Sequence, residues 1–309
     1  MGSSDAGSVH YPIAYDAAFL ARVRAFHAGA EHLPGYRHWI DEHMGGRVVT
    51  FRSRLLPHIR AFTALRGLDI LDFGCGTGSS AVVLGEAAEG GTLTGIDVDA
   101  AGLELARLRL LHHGLASRVR LQAIRPVTGA GDLPYADASF DFILANGVLE
   151  HVVPFSTRPA VILEMWRLLR PGGLLYLSET PNALWPIDRH TTGLPLIPWL
   201  PSGLAARLAV AAGKHRPEAD LDARGRRGMT YWGVVRPLRR ARLPFEVLNI
   251  TRAGNRLLPG GIDRAASPKR RFAMLALERL AGAPLAAMGT PTVAFAPFLE
   301  HLCLCKLPR

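Results

Sequence analysis

Cysteine and lysine are both scarce in this chain of 309 residues. The three cysteines, Cys75, Cys303 and Cys305, are an odd number without metal-ligand spacing. The sequence therefore predicts neither a disulfide framework nor a metal site. Lysine supplies three of the 36 basic residues, so arginine carries the net charge of +10. Because arginine enrichment can come from a GC-rich genome as well as from anion binding, the charge alone predicts no nucleic-acid partner.

Long apolar runs are also missing. Residues 1–8 lack the basic flank and apolar segment of a signal peptide. The most apolar long stretch, 193–213, contains three prolines and Arg207, so we do not expect it to span a bilayer. We expect a cytoplasmic protein that is either free in solution or bound peripherally to the inner face of the membrane.

Apolar residues follow the pattern of alternating strands and helices. Strands are predicted at 68–73, 92–98, 119–124, 140–146, 174–179, 245–250 and 302–307. Helices are predicted within 11–66 and at 79–88, 99–114, 159–169, 231–241 and 271–280, with breaks in the first region at Pro34-Gly35 and Gly45-Gly46. Short apolar runs bounded by glycine and separated by amphipathic stretches indicate a doubly wound α/β fold with a parallel sheet.

Changes in this pattern divide the chain into four segments. We predict an N-terminal helical cap at 1–66, a core at 67–181, an insertion at 182–228 and the C-terminal part of the core at 229–309. The insertion has no regular periodicity. Loops of this length in compact domains are usually lids, binding elements or partner surfaces.

A glycine-rich turn follows the first predicted strand. Its sequence is Asp72-Phe73-Gly74-Cys75-Gly76-Thr77-Gly78. Glycine at such a turn lets a ligand approach exposed backbone amides closely. The G-x-G-x-G spacing differs from the G-x-G-x-x-G of dinucleotide-binding folds, so the motif predicts a cofactor site but disfavours a nicotinamide cofactor.

An acidic residue lies at the end of the second predicted strand. The carboxylate of Asp97 can accept hydrogen bonds from both hydroxyls of a ribose, and Val98 offers an apolar contact to an adenine. A helix-capping role is the alternative for such an acid, but that role fits Asp99 better. Asp97 therefore predicts a cofactor that contains adenosine.

Three further blocks follow in order. They are Leu133-Pro134-Tyr135 with Ser139-Phe140-Asp141, then Val148-Leu149-Glu150-His151-Val152, then Leu168-Leu169-Arg170-Pro171-Gly172-Gly173. With the glycine turn and Asp97, they resemble the class I S-adenosylmethionine-dependent methyltransferases, in the small-molecule branch that contains the ubiquinone and menaquinone biosynthesis enzymes. The resemblance covers residues 66–180. It implies S-adenosyl-L-methionine as cofactor and a Rossmann-like sheet of seven mostly parallel strands, the last antiparallel.

The resemblance also implies a role for individual residues. Those expected to hold the amino-acid end of the cofactor are Asp72, which orients its ammonium, and Gly74, Cys75, Gly76, Thr77 and Gly78. Asp97 and Val98 would contact the adenosine, and Asn146 the methionine portion. The family often has an acid where this chain has Gly129, so Asp132, Leu133 or a neighbouring carbonyl is expected to replace its contact with the adenine amino group.

Two histidines are the candidate catalytic residues. Glu150 and His151 either begin a helix as capping or solvated groups or line the acceptor pocket. His190 follows Asp188 at the start of the insertion, where it could act as a general base for a hydroxyl acceptor. A structural or surface role is the alternative for His190.

The insertion contains an apolar, proline-broken stretch around Trp199, followed by arginines. One interpretation is a lid over the active site. Another is peripheral contact with a membrane through 193–242, where apolar side chains enter the interface and arginines meet anionic head groups. The two interpretations are compatible.

The function predicted is in-line transfer of a methyl group to a small-molecule acceptor, such as a lipidic phenol or quinol. A non-catalytic scaffold, a nicotinamide-dependent oxidoreductase and a nucleic-acid methyltransferase are the alternatives. The fourth predicted strand leads into Ala145-Asn146-Gly147-Val148 rather than a base-methylation Asn/Asp-Pro-Pro motif, so we expect no nucleic-acid partner. The sequence determines neither the acceptor nor the oligomeric state.

Overall fold

The computed structural model describes residues 11–29, 31, 35–216, 220–256 and 267–309. Residues 1–8, for which no signal peptide is predicted, and Pro34, predicted to break a helix, lie outside the described residues.

The strands of the described residues form one large sheet and one small one. The strands are β1 (Asp69–Phe73), β2 (Thr92–Asp97), β3 (Val119–Ala123), β4 (Phe140–Asn146), β5 (Leu169–Ser178), β6 (Thr180–Pro181), β7 (Phe245–Val247), β8 (Phe298–Leu299) and β9 (Leu302–Lys306). The large sheet has the order β3-β2-β1-β4-β5-β9-β7, and β6 pairs with β8 separately. β9 is antiparallel to both neighbours, whereas β1 to β5 pair in parallel. The predicted fold class is confirmed.

Helices cover both faces of this sheet. They are α1 (Ala17–Phe26), α2 (Tyr36–Asp41), α3 (Arg47–Thr50), α4 (Leu56–Arg60), α5 (Ser79–Ala87), α6 (Ala100–His112), α7 (Arg158–Leu168), α8 (Ser202–Ala211), α9 (Tyr231–Arg240), α10 (Leu248–Thr251) and α11 (Pro268–Ala287). Two π-helical turns, Glu42–Gly46 and Phe51–Leu55, join α2, α3 and α4. Short 3₁₀ turns lie at Leu149–His151, Phe155–Thr157, Ile197–Trp199 and Thr292–Phe295.

Residues 142–145 of β4 show why the middle of a central strand is apolar at successive positions. Phe142 and Leu144 belong to the hydrophobic cluster that contains α5, whereas Ile143 and Ala145 belong to the cluster that contains α7 and α9. Successive side chains of a strand point to opposite faces, so a strand covered on both faces must be apolar at every position. This continuous apolar pattern makes the core recognisable in the sequence.

Two predicted strands have different bounds in the structure. The strand predicted at 245–250 ends at Val247, because Asn249 turns inward and exchanges hydrogen bonds with His301 O and Cys303 N, and a helical turn forms there. The fifth strand begins at Leu169 rather than 174. Leu169 already pairs with Phe140, and the glycine-containing turn that follows is an irregularity within the strand.

The N-terminal helices pack on the α5 side of the core and reach the ends of the strands. Val48 and Phe51 lie in the same hydrophobic cluster as α5. Phe19 and Met44 form a smaller cluster with Leu105 of α6. The cap thereby places its π-helical turns beside the glycine-rich turn.

The insertion has its own small core. Ile197, Ala205, Ala209 and Leu221 form a buried cluster. Arg226 is buried, and its guanidinium donates to the carbonyls of Ile197 and Leu200. Within the described part of the chain, no helix is long and apolar enough to cross a membrane.

Candidate active site

A cavity of about 980 Å³ opens where the central strands end. Phe73, Asp97 and Asn146, the last residues of β1, β2 and β4, all line it. In the sheet, β2 lies on one side of β1 and β4 on the other. The cavity therefore lies at the point where the strand order reverses. Open α/β sheets bind their ligands at this point.

The glycine-rich turn forms one wall of the cavity, but its three glycines have different roles. Gly74 and Gly76 line the cavity, and a Cβ at Gly76 would meet open space within 4 Å. Gly78 is buried, and a Cβ there would lie 2.8 Å from the Cβ of Ala106 on α6. Gly78 therefore serves helix packing, and the turn offers ligand contact only through the residues before it.

Asp97 is held in place by backbone amides. Its Oδ2 accepts from the amide of Gly76 at 2.7 Å and its Oδ1 from the amide of Asp99 at 2.9 Å. Each carboxylate oxygen can accept a second hydrogen bond, so the group can still receive two hydroxyls. Val98 is 57% exposed and lines the cavity, while Asp99 caps α6 through Ala101. The division of roles predicted for the two acids matches this geometry.

Asp72 lies behind the cavity wall. Its carboxyl is buried, accepts a hydrogen bond from Ser80 Oγ at 2.7 Å and does not line the cavity. Burial raises its pKa to about 7. A cationic ligand group on the other side of the turn would favour its ionised form.

Cys75 and Thr77 both line the cavity beside the glycines. Burial raises the pKa of the Cys75 thiol, which keeps it protonated. Thr77 Oγ1 lies 3.1 Å from Nδ1 of His43 in the cap. Burial lowers the pKa of His43 to about 3, so this imidazole is neutral. The cap and the glycine-rich turn are thus joined at the cofactor end of the cavity.

Asp132 and Leu133 do not reach the cavity, which corrects the prediction that they contact the adenine. The Asp132 carboxylate accepts from the amides of Thr128 and Gly129, and Leu133 is buried in the core. Val127 and Thr128 line the cavity instead. Asp132 therefore shapes this wall through the backbone without forming its surface.

Asn146 belongs to a polar group on the cavity wall. Its Nδ2 donates to Oε2 of Glu179 at 2.9 Å, and Arg47 from the cap donates to the same oxygen at 2.8 Å. Asn146 Oδ1 is buried without a hydrogen-bond partner among the described residues. The arrangement leaves one acceptor free to face a ligand.

His151 and His190 lie close together on the same wall. Their ring centroids are 5.4 Å apart, and both side chains line the cavity. Burial and the neighbouring His151 lower the pKa of His190 to about 4, so its imidazole is neutral at pH 7. Asp188 does not orient this ring, because its carboxylate accepts the backbone amides of residues 190–192.

Glu150 was predicted either to begin a helix as a capping or solvated group or to line the acceptor pocket, and the structure matches neither role completely. It lies in the Leu149–His151 turn and is buried, while its Oε2 accepts from Thr180 Oγ1 at 3.2 Å. Burial raises the pKa of Glu150 to about 8. Its neighbour His151 lines the cavity, as one of the two interpretations predicts.

Several cavity residues carry no sequence signal of function. The missed ones are Phe26, His43, Arg47, Phe51, Phe298 and Glu300, which come from the cap and the C-terminal segment. Their positions depend on contacts between distant parts of the chain. The Gly45-Gly46 pair next to His43 was the one local sign that the cap changes direction there.

A family model described as a methyltransferase domain matches residues 71–177. The core of this chain is a class I methyltransferase domain. The match begins in β1, includes the glycine-rich turn and Asp97, and ends in β5. It contains every residue predicted to hold the cofactor.

Several known proteins are similar to this chain over part of their length. Methyltransferase GfsG of Streptomyces halstedii is 40% identical over 113 residues, covering 37% of this chain and 38% of the relative. A ubiquinone biosynthesis O-methyltransferase of Chelativorans sp. is 30% identical over 162 residues, covering 51% of this chain and 60% of the relative. A solved S-adenosylmethionine-dependent methyltransferase of Methanosarcina mazei has a TM-score of 0.41 and 22% identity, covering 63% of this chain and 89% of that one. Both sequence relatives are matched over less than two thirds of their length.

The predicted methyltransferase family is confirmed for residues 71–177, and S-adenosylmethionine is the cofactor that such a domain implies. The residues of the methyltransferase domain also fit this cofactor. Gly76 leaves open space, Asp97 keeps acceptor capacity, and two buried polar atoms on the cavity wall, Ser79 Oγ and Asn146 Oδ1, have no partner among the described residues. A polar ligand would satisfy them.

Proposed function

We propose that the methyltransferase domain transfers a methyl group from S-adenosylmethionine to a hydroxyl of a small, largely apolar acceptor. The observation that supports this most is that one cavity is lined by two chemically distinct groups of residues. Gly74, Gly76 and Asp97 form the first, here called the cofactor end, and the His151–His190 pair forms the second, here called the acceptor end. Such a cavity can hold a cofactor and an acceptor side by side.

The cofactor end would bind through backbone and carboxylate groups. Asp97 would accept the ribose hydroxyls, since both of its oxygens are already fixed by amides. Asp72 would act through the turn on the ammonium group. When bound, S-adenosylmethionine supplies a methyl group on a positively charged sulfur, which is already a strong electrophile.

Apolar side chains also line the cavity. They are Phe26, Phe51, Val148, Val152 and Phe298, so an acceptor with a ring or chain would be desolvated there. Holding acceptor and methyl group in line can contribute roughly 7–11 kcal/mol to lowering the barrier. These apolar residues would therefore contribute mainly by positioning the acceptor.

His190 is suited to accept the hydroxyl proton. Its imidazole is neutral at pH 7, which is the form required of a base. The imidazole of His190 would take the hydroxyl proton as the acceptor oxygen is methylated, with S-adenosylhomocysteine as the second product. The relative named as an O-methyltransferase supports the choice of oxygen over nitrogen or carbon.

Titration calorimetry tests the proposed cofactor site. S-adenosylhomocysteine should bind the wild-type protein, and NADH should give no heat. Asp97→Ala should weaken binding by about 1.5–3 kcal/mol, because hydrogen bonds to a charged acceptor are lost. Glu104→Ala, on the exposed face of α6, is the matched control and should bind normally. A folded wild-type protein that does not bind S-adenosylhomocysteine would refute the proposed function.

We also propose that the insertion contacts a membrane surface. α8 turns the small residues Ala205 and Ala209 inward and the large residues Leu204 and Leu208 outward, the reverse of a helix that only completes a core. Leu204 and Leu208 are 46% and 45% exposed. Trp199 nearby is 55% exposed.

The composition of the insertion supports the same contact. Further exposed apolar side chains are Leu184, Ile187 and Leu196. Residues 182–228 contain seven arginines or lysines and four acids. Apolar side chains beside excess positive charge favour the interface of an anionic bilayer. Such a surface would deliver a lipidic acceptor next to the cavity.

A further inference from the structure

Three side chains with metal-binding atoms meet at the acceptor end of the cavity. Glu150, His151 and His190 each offer one donor atom, and these atoms lie within 4.8 Å of one another. The first two are adjacent in the 3₁₀ turn after β4, whereas His190 comes from the insertion. The fold brings them together across forty residues of sequence.

The carboxylate of Glu150 lacks a partner for one of its oxygens. Glu150 is 0% exposed, and its Oε1 has no hydrogen-bond partner among the described residues. Oε1 lies on the side of Gly147, which lines the cavity, since a Cβ at Gly147 would be 3.6 Å from it. An unpartnered buried carboxylate oxygen is costly, and a cation would satisfy it.

The imidazole of His151 is oriented as metal-binding histidines usually are. Its Nδ1 lies 2.9 Å from the carbonyl oxygen of Ala223, so Nδ1 carries the proton and donates it. Nε2 is then left with its lone pair. Ligating histidines commonly donate their second ring nitrogen to a carbonyl or carboxylate in this way.

The backbone at Gly225 lets the insertion close over this group. A Cβ at this position would lie 2.8 Å from Cγ of Glu150 and 3.0 Å from Cδ2 of His190. The φ angle of Gly225 is 89°, which also disfavours other residues. The insertion therefore touches two of the three side chains directly.

We propose that Glu150, His151 and His190 bind a divalent cation of the zinc class. Two imidazoles and one carboxylate are a donor set of catalytic zinc sites, which leave further positions open. Donors around a tetrahedral zinc ion are about 3.4 Å apart, so side-chain rotation on the order of 1.5 Å completes the site. This inference departs from the expectation, drawn from the cysteines, that the chain has no metal.

The nearby arginine side chains do not bind the carboxylate of Glu150. The Arg158 guanidinium donates to the backbone carbonyls of Glu150, Val152 and Gly228, and Arg47 is paired with Glu179. Their charge opposes a cation but leaves the carboxylate oxygens of Glu150 free of arginine contacts among the described hydrogen bonds. The two imidazoles and the carboxylate can still form the site.

The consequence for chemistry rests on the proposed function. A hydroxyl acceptor that coordinates the ion at an open position loses its proton to solvent more readily, because the ion stabilises the oxyanion. His190 then acts as a ligand, and the metal takes over the task of lowering the pKa of the acceptor. Acceptors with a phenol or catechol oxygen fit this requirement.

Cobalt titration of the chelator-treated full chain tests the site. Co²⁺ serves as a spectroscopic substitute for Zn²⁺, and one equivalent should produce visible absorption that added Zn²⁺ removes. Glu150→Gln, His151→Ala and His190→Ala should each weaken binding at least about 10- to 100-fold, the loss typical even for outer partners of a metal. His38→Ala, on an exposed histidine of α2, should change nothing.

A second measurement does not depend on the variants folding. Zn²⁺ should protect His151 and His190 of the wild-type protein from diethyl pyrocarbonate, as read by peptide mass spectrometry, and should leave His38 reactive. Absence of Co²⁺ binding, unchanged affinity in all three variants, or equal modification with and without Zn²⁺ would overturn the inference. S-adenosylhomocysteine binding, measured on the same samples, separates this failure from failure of the proposed function.

Discussion

The carboxyl group of Asp72 allows a direct test of how burial shapes the cofactor end of the cavity. Asp72 is 1% exposed, and Ser80 Oγ donates a hydrogen bond to it. Burial raises its pKa from 3.8 to about 7, with a smaller contribution from the charge of Asp97, and the hydrogen bond from Ser80 opposes this rise. The folded protein therefore keeps this group protonated close to neutral pH.

The sign of the effect on stability follows from proton binding. Between pH 3.8 and about 7, the folded state holds a proton on Asp72 that the unfolded chain has lost. Stability from this group is fully present below pH 3.8 and is lost as the pH rises through 7. A pKa change of this size corresponds to about 4 kcal/mol.

Asp72→Asn keeps the shape of the side chain but cannot ionise. We expect the difference in free energy of unfolding between the wild type and this variant to change by about 3 kcal/mol from about pH 4.5 to about pH 8, in favour of the variant at high pH. Urea denaturation of both proteins at several pH values measures this difference. A difference that does not depend on pH would refute the reasoning.

Two further measurements test whether Asp72 causes this pH dependence. Ser80→Ala removes the hydrogen bond that favours the ionised carboxylate, so the pH window of the wild-type stability loss should move upward. Binding of S-adenosylhomocysteine should release a proton near pH 6, since its ammonium favours the ionised form of Asp72. Calorimetry in buffers of different ionisation enthalpy would detect the release, and Asp72→Asn should abolish it.

Further predictions concern packing and the outer surface. Gly78→Ala should cost about 1–3 kcal/mol more than Gly114→Ala in urea denaturation, because both have positive φ but only Gly78 would place a Cβ 2.8 Å from α6. Equal losses would contradict a packing role for Gly78. Replacing Leu204 and Leu208 together by Glu should reduce sedimentation with anionic liposomes at least about tenfold, since two apolar contacts are lost. Leu111→Glu, at an exposed leucine on α6, is the control, and undiminished lipid binding by the double variant would refute the membrane proposal.

The core could be predicted because its signals are local. β4 is apolar at successive positions since both of its faces are covered, and the glycine-rich turn must follow a strand and precede a helix. Asp97 and Asp99 could be told apart because one ends β2 and the other precedes α6. The match to a methyltransferase domain over 71–177 covers this same part of the chain.

Contacts of individual side chains within the core were less predictable. Asp132 and Leu133 lie in a recognisable block, but the direction of each side chain depends on the turn at 128–132 and on the core beneath it. The strand predicted at 245–250 ends early, because the buried Asn249 finds partners in β9. The first case depends on hydrogen bonds within a turn and the second on hydrogen bonds to a distant strand, and both outweigh the apolar pattern of the sequence.

The sequence by itself determined the doubly wound core, the cofactor turn and the family of the domain, since strand and helix periodicity act over a few residues. Only the tertiary structure decided what faces the cofactor. Arg47 meets Glu179 across 132 residues, and His190 joins Glu150 and His151 from the insertion. Each of these contacts exists because packing of the cap and the insertion places polar groups beside buried partners, and no local pattern encodes such a pairing.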